Sequence, residues 1–352
     1  MLDIRTLDIP GYERVVIGRD ASAGLHAVIA VHSTRRGPAL GGIRMHPYPS
    51  QDAALADALR LSHAMSLKAA SSDLALGGGK AVVVGDPHAP KSHNMLLTLG
   101  DLIESLDGAY LAAEDAGFFD HDIDIVAQRT RHVTGAGPHL GGSGDCSAAT
   151  ALGVVLGIQA AARHRLGDGD LSGLHVAIQG LGKVGLTVAQ LLHERGVTLT
   201  VADVVEDRAR LAADRFHAAV VPPDRIHAVR ADLFCPCALG GVLSDRTLPE
   251  LTTPIVAGGA NNQFADESTG PADLHQRNIL HAPDFIINAG GLIRLYALEV
   301  AREPSADSRM SRIPQRLAAL FDESHATDTP PLAIARRIAE NKLVDTPTPA
   351  PQ

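Results

Sequence analysis

The strongest constraint on the fold of this chain is Gly180-Leu181-Gly182-Lys183-Val184-Gly185, a complete G-x-G-x-x-G. It follows the apolar run HVAIQ and opens a helical pattern over 183–195. In that context the first glycine permits a tight turn and the second lets the backbone approach a pyrophosphate. The third lets helix and strand pack closely. The anion then meets the free N–H groups and the positive dipole end of a helix. The next predicted strand, 198–202, ends at Asp203, roughly 20 residues past Gly180. An acid there can accept hydrogen bonds from both ribose hydroxyls and repels a 2′-phosphate, so the expected cofactor is NAD rather than NADP. A helix-capping aspartate is the other reading of Asp203.

The surroundings agree with a wound α/β architecture. In the second half, strands are predicted at 174–179 and 198–202, helices at 183–195 and 208–216, and further short strands near 228–233, 254–257 and 284–288. Such alternation implies βαβ units on a parallel sheet. In the first half, strands are expected at 26–31, 81–84 and 109–113. A helix over 52–68, capped by Asp52, and another over 94–105 complete that half. Residues 135–145 are glycine-rich and read as a hinge, followed by a helix over 148–165. The chain of 352 residues is therefore expected to form two α/β domains with a cleft between them. These are an N-terminal substrate and catalytic domain (1–140) and a Rossmann dinucleotide domain (141–330). A C-terminal helix and disordered tail (331–352), ending TPTPAPQ, follow.

Composition removes several function classes. The net charge is −9 with interspersed signs, and aromatics are 3% with no Trp, so a nucleic-acid surface is not expected. No run of about 18 apolar residues suggests a membrane span. Asp3 and Asp8 interrupt the start of the chain where a signal peptide would be apolar, which makes a cytoplasmic location the expectation. Three cysteines make no disulfide framework, and Cys235-Pro236-Cys237 reads as packing or a turn rather than half a metal site. The 17 histidines are scattered with no HExxH-type pair, so no metal is assigned.

Two lysines and one acid in the first half stand beside glycine-rich turns or strand ends. Lys68 closes the predicted 52–68 helix, Lys80 follows Gly77-Gly78-Gly79, and Asp115 follows the strand at 109–113. A run of three glycines carries no side chains, so a ligand can approach the backbone closely there. A lysine screened from water, with a second cation nearby, has a lowered pKa and can act as a base near neutral pH. Surface lysines and a capping aspartate explain the same residues equally well.

Several blocks carry a family resemblance. GPALGGIRMHPYPS (37–50), the helix with Lys68, LGGGKAVVVGDP (76–87), AAEDAG (112–117), VAIQGLGKVG, CPCALGG, GGANNQ and PDFIINAGGLI occur in one order. Together they resemble the leucine/phenylalanine/valine dehydrogenases of the glutamate dehydrogenase superfamily. The likeness runs from about residue 10 to 300. It implies NAD-dependent, reversible oxidative deamination of an L-amino acid to its 2-oxo acid and ammonia, and a homo-oligomer. It implies that Lys68 binds the substrate carboxylate, aided by the backbone at Gly41 and Gly42. Lys80 would activate water and Asp115 would shuttle protons. Asn262 would orient substrate and nicotinamide. Leu40, Met65, Ala113, Leu292 and Leu295 would line the side-chain pocket, which points to leucine, valine or isoleucine. Ala69 after Lys68, and Asn261, depart from the leucine branch, and Gly141-Gly142-Ser143-Gly144 is closer to the phenylalanine branch. Those departures keep phenylalanine or tryptophan open as the substrate. Two readings outside amino-acid oxidation stay open as well. One is a catalytically silent nucleotide sensor, which loss of Lys80 or Asp115 would have suggested, and both are present. The second is a hydroxy-acid dehydrogenase on the same cofactor fold, whose His–carboxylate pair and Arg clamp are not found in the sequence.

Overall fold

The computed structural model describes residues 1–344, so the tail at 346–352 lies outside the described residues. The chain divides into two compact units. The first holds Met1–Asp145 and Leu298–Arg302, together with described residues from Ala339 onward. The second holds Cys146–Ala297 and Glu303–Ile338. A linear division at 140 and 330 thus misses two late returns to the first unit.

The first unit is built on a six-stranded sheet. Its strands are β1 (Asp3–Leu7), β2 (Arg14–Asp20), β3 (Leu25–Ser33), β4 (Ala39–His46), β5 (Gly77–Val84) and β6 (Tyr110–Glu114), in the order β1-β2-β3-β5-β4-β6. The pairs β4–β5 and β4–β6 are parallel and the others antiparallel. Helices α1 (Gln51–Ser71), α2 (His93–Glu104) and α3 (Asp120–Val126) complete it. Successive side chains of a strand point to opposite faces, and the two cores follow that rule. Val16, Ile29, Ile43, Ala81 and Val83 pack with Leu96, Leu99, Ile103, Ile123 and Val126 of α2 and α3. Val15, Ile17, Val28, Ala30 and Val82 pack with Ala54 and Ala58 of α1.

The cap of α1 differs from expectation. Ser50, not Asp52, accepts the Ala53 amide, at 3.1 Å. Asp52 instead lies in the first turn, where it favours the dipole. The helix runs to Ser71, so Lys68 sits inside its last turn. The glycine-rich loop after 134 is tied down by Glu299, whose carboxylate accepts the Gly135 amide at 3.1 Å and the Ser143 amide at 2.8 Å.

The second unit carries an all-parallel sheet. Its strands are β7 (His175–Gln179), β8 (Thr198–Ala202), β9 (Ala219–Val220), β10 (Leu233–Pro236), β11 (Ile255–Val256) and β12 (Leu280–His281). Their spatial order, β12-β11-β10-β7-β8-β9, is the dinucleotide-fold order in which direction reverses between the first and fourth strands. The helices are α4 (Ser147–Leu166), α5 (Lys183–His193), α6 (Glu206–Phe216), α7 (Gly270–Gln276), α8 (Asp284–Ile287), α9 (Gly290–Leu295), α10 (Asp307–Met310), α11 (Arg312–Thr327) and the part of α12 (Pro331–Val344) up to Ile338. A π-helical turn, Tyr296–Val300, follows α9.

Two expected strands move. The run at 284–288 is helical: Pro283 and Asp284 start α8, and the strand is β12 just before it. The strand near 228–233 begins only at Leu233, after a 3-10 turn at Ile226–Ala228. Among the described residues no helix is long and apolar enough to cross a membrane.

Candidate active site

Strand alternation gathers the first unit's candidate side chains on one side of its sheet, while Gly41, in step with Ile43, lies on the other. Val82 faces α1, so Lys80 and Gly78, at steps of two along β5, share that side. Ile43 and Ala112 face α2 and α3, so Leu40, Gly42, Arg44 and Ala113 point the other way, toward α1. Asp115 follows directly after β6. Lys68 and Met65 belong to α1, the helix that covers this side.

The three glycines before Lys80 lie inside β5 rather than ahead of it. A Cβ on Gly78 would run into the Ser62 and Ser66 backbone of α1, and one on Gly79 would stand 2.5 Å from the Tyr110 ring. They let α1 and β6 close onto the strand, which corrects the expectation that the run clears space for a ligand. Gly41 and Gly42 are confined as well: a Cβ on Gly41 would strike the Gly79 carbonyl, and one on Gly42 would lie 2.6 Å from Asp115 Cβ. The Tyr110 hydroxyl donates to the Gly41 carbonyl at 2.6 Å.

Lys80 is buried, and its Nζ donates to Asp115 Oδ2 at 2.5 Å. Burial pushes the lysine below its usual value, Asp115 opposes that and Arg44 adds to it. Burial alone would raise Asp115, but Lys80 and Arg44 more than offset it and hold the carboxyl well below the usual range. A pair of this kind can hold a proton on the amine and release it to a partner in the same place. The second cation acting on Lys80 is Arg44, a residue that sequence reasoning missed. Its GGIR context was visible; its distance from Asp115, 71 residues along the chain, was the obstacle.

In the second unit, Gly180 has φ +88°, a conformation natural to glycine, and closes the turn from β7 into α5. A Cβ on Gly185 would strike the Gly180 carbonyl, whereas one on Gly182 would meet nothing within 4 Å. Gly182 caps α5 without any side-chain hydrogen bond. An uncapped helix end beside open space fits an anion such as a pyrophosphate. Lys183 and Val184 start the helix and Leu181 is buried under the turn. The Asp203 carboxylate, after β8, accepts the amides of Leu181 at 2.6 Å and Val205 at 2.8 Å.

Asn262 adopts a left-handed φ of 50°, which asparagine tolerates. Its amide donates to Asp284 Oδ2 at 2.5 Å. Leu292 and Leu295 are buried on α9. Cys235 and Cys237 place their sulfurs 3.6 Å apart at the end of β10, beside the glycine turn. Among the described residues, Glu114, Asp120 and Asp145 are the side chains that cluster as metal ligands could, with carboxylate oxygens within 4.8 Å of one another. Nothing else at that trio points to an ion.

Residues 14–142 match the Glu/Leu/Phe/Val dehydrogenase dimerisation domain, and 141–205 with 200–325 match the Glutamate/Leucine/Phenylalanine/Valine dehydrogenase domain. The chain belongs to the Glu/Leu/Phe/Val dehydrogenase family. This dehydrogenase is 41% identical to a leucine dehydrogenase of Geobacillus stearothermophilus over 336 residues, 94% of this chain and 90% of the relative. It is 42% identical to a valine dehydrogenase of Streptomyces coelicolor over 345 residues, 96% of this chain and 94% of the relative. Its fold is similar to the crystal structure of an L-tryptophan dehydrogenase from Nostoc punctiforme. That likeness has a TM-score of 0.79 and 37% identity, and covers 96% and 97% of the two chains. The expected family, the two-domain α/β fold and the enzyme class all agree with these matches.

Proposed function

We propose that this dehydrogenase uses NAD to deaminate a branched aliphatic L-amino acid, reversibly, to the 2-oxo acid and ammonia. The observation that carries the reading is the pairing of the buried Lys80 with the half-buried Asp115 on one unit, combined with an uncapped glycine turn on the other. The relatives named leucine and valine dehydrogenase support the substrate class.

Gly180, Gly182 and the start of α5 would hold the pyrophosphate, and Asp203 the ribose hydroxyls. When bound, the nicotinamide accepts the hydride from the substrate α-carbon. Lys68 supplies the counter-charge for the substrate carboxylate, near the Gly41–Gly42 backbone. Lys80, once neutral, takes a proton from the water that attacks the substrate carbon. Asp115 holds and returns protons at the amino group. Asn262 orients substrate and cofactor, and Leu40, Met65, Ala113, Leu292 and Leu295 accept the side chain. Those five are apolar, so a charged or hydroxylated side chain would be buried without a partner. The dimerisation domain in the family match and the amino-acid chemistry together favour a homo-oligomer working on small molecules in the cytoplasm.

The test is NADH formation with a panel of amino acids, and the reverse reaction with 2-oxo acids and ammonium. Valine, leucine and isoleucine should show the highest kcat/KM, graded among themselves because one methylene is worth about 1–3 kcal/mol. The likeness to the tryptophan dehydrogenase gives the aromatic reading its support. Faster turnover of tryptophan or phenylalanine would select that reading and sink the aliphatic one.

A further inference from the structure

Asp115 is held by more than Lys80. Its Oδ2 accepts from Lys80 Nζ at 2.5 Å and from Arg44 Nε at 3.1 Å, so one oxygen is shared by two cations. The same guanidinium reaches Asp57 Oδ2 on α1 with Nη1 at 3.3 Å. Asp57 is anchored in turn by the Tyr48 hydroxyl and the Arg60 guanidinium, each at 2.6 Å. Arg44 therefore bridges two carboxylates, one beside Lys80 and one fixed to a helix. Arginine suits the position because its fork reaches both and it keeps its proton at any working pH. It is a fixed charge and not a second base.

The elements packed against β5 carry a defined set of ionisable groups. Strand β4 brings Arg44 and His46, and β3 brings His26 and His32. Helix α1 brings Asp52, Asp57, Arg60, His63 and Lys68. Strand β6 and its following turn bring Tyr110, Glu114 and Asp115. Of these, Asp115 and Asp57 favour the charged form of Lys80, and Arg44 disfavours it, in addition to burial.

We propose that Arg44 is a positioning residue that divides the Asp115 carboxylate between two cations and thereby sets how readily Lys80 releases its proton. The inference rests on Lys80 being the base of the proposed reaction. When Lys80 becomes neutral, the half-buried Asp115 carboxylate loses one counter-charge, which is costly unless another remains. Arg44 remains, so Asp115 stays ionised and in place while the lysine cycles.

The test reads the lysine directly. The chain has five lysines, so limited labelling with acetic anhydride followed by peptide mass spectrometry resolves Lys80. Its titration midpoint is measured in the full-length wild type, Arg44→Gln, Arg44→Lys and Asp57→Asn, alongside the pH profile of kcat. Arg44→Gln should raise the midpoint by at least about one pH unit. Arg44→Lys should recover most of the wild-type value. Asp57→Asn removes an anion and should lower the midpoint, opposite to Arg44→Gln. General loosening of the site would move both variants in one direction. An unmoved midpoint in Arg44→Gln, or shifts of the same sign in the two variants, overturns the proposal. If Arg44→Gln fails to fold, the sign in Asp57→Asn decides: a fall supports it, no change or a rise overturns it. Opposed shifts in a protein that oxidises no amino acid would retain this assignment and remove the proposed function. Amino-acid turnover with unmoved midpoints would do the reverse.

Discussion

The Asp203 carboxylate accepts the Leu181 amide at 2.6 Å, which ties the end of β8 to the glycine turn after β7. A side chain proposed to select the cofactor thus also shapes the loop proposed to bind it. NAD should exceed NADP in kcat/KM by at least about tenfold, or roughly 1.4 kcal/mol. Asp203→Ser should narrow that gap. It should also lower Tm, because two backbone amides lose their acceptor at about 1–3 kcal/mol each if left unpaired. Equal use of both cofactors by the native enzyme would contradict the assignment.

The glycines of the turn should separate into two kinds. Gly182→Ala introduces a methyl into open space, so Tm should stay nearly unchanged while KM for NAD rises. Gly185→Ala drives a methyl into the Gly180 carbonyl and should cost about 1–3 kcal/mol of stability. Thermal unfolding without cofactor, compared with KM, distinguishes them. An intact KM in Gly182→Ala argues against pyrophosphate binding there.

Lys80→Ala should reduce kcat by about a hundredfold or more, the scale of losing a general base. Lys68→Ala should raise KM for the amino acid as well, since a carboxylate loses its counter-charge. Retention of more than about a tenth of kcat in Lys80→Ala would remove the lysine from the chemistry.

Asp115 gives a pH signature in stability. Its folded pKa lies below its ordinary value of 3.8, so its stabilisation is complete above that value. It is lost as pH falls through the lower folded value. At pH 7, Asp115→Asn should be destabilised by about 3 kcal/mol, the scale of leaving the buried Lys80 charge without its partner. The Tm gap between wild type and variant should then close below about pH 4. A gap that persists unchanged in acid would mean that charge is not what Asp115 contributes.

Much of this architecture was legible because the signals are local. G-x-G-x-x-G between a strand and a helix identifies its turn from six residues, and alternation placed β3, β6, β7 and β8. The misreadings have physical causes. A short apolar run such as FIIN has no resolvable period, so 284–288 reads as a strand although Pro283 and Asp284 start a helix. The glycines at 77–79 looked like a ligand gap because their neighbours, Ser62, Ser66 and Tyr110, are brought in by other elements. Arg44 was invisible for the same reason: only the parallel pairing of β4 with β6, Ile43 opposite Glu114, carries it to Asp115.

The glycine stretch at the head of β5 bears on the order in which the protein assembles. Gly77, Gly78 and Gly79 lose more backbone freedom on ordering than any other residues would and have no side chains to pack. That stretch has no local reason to be extended. Its neighbours in the folded chain are α1, β6 and the Ser33 region, and its extended form depends on them. Lys80 is the next residue along. A refolding chain is expected to regain its helical signal first and the ordered Lys80, its proposed base, afterwards, so that return of activity lags behind return of secondary structure.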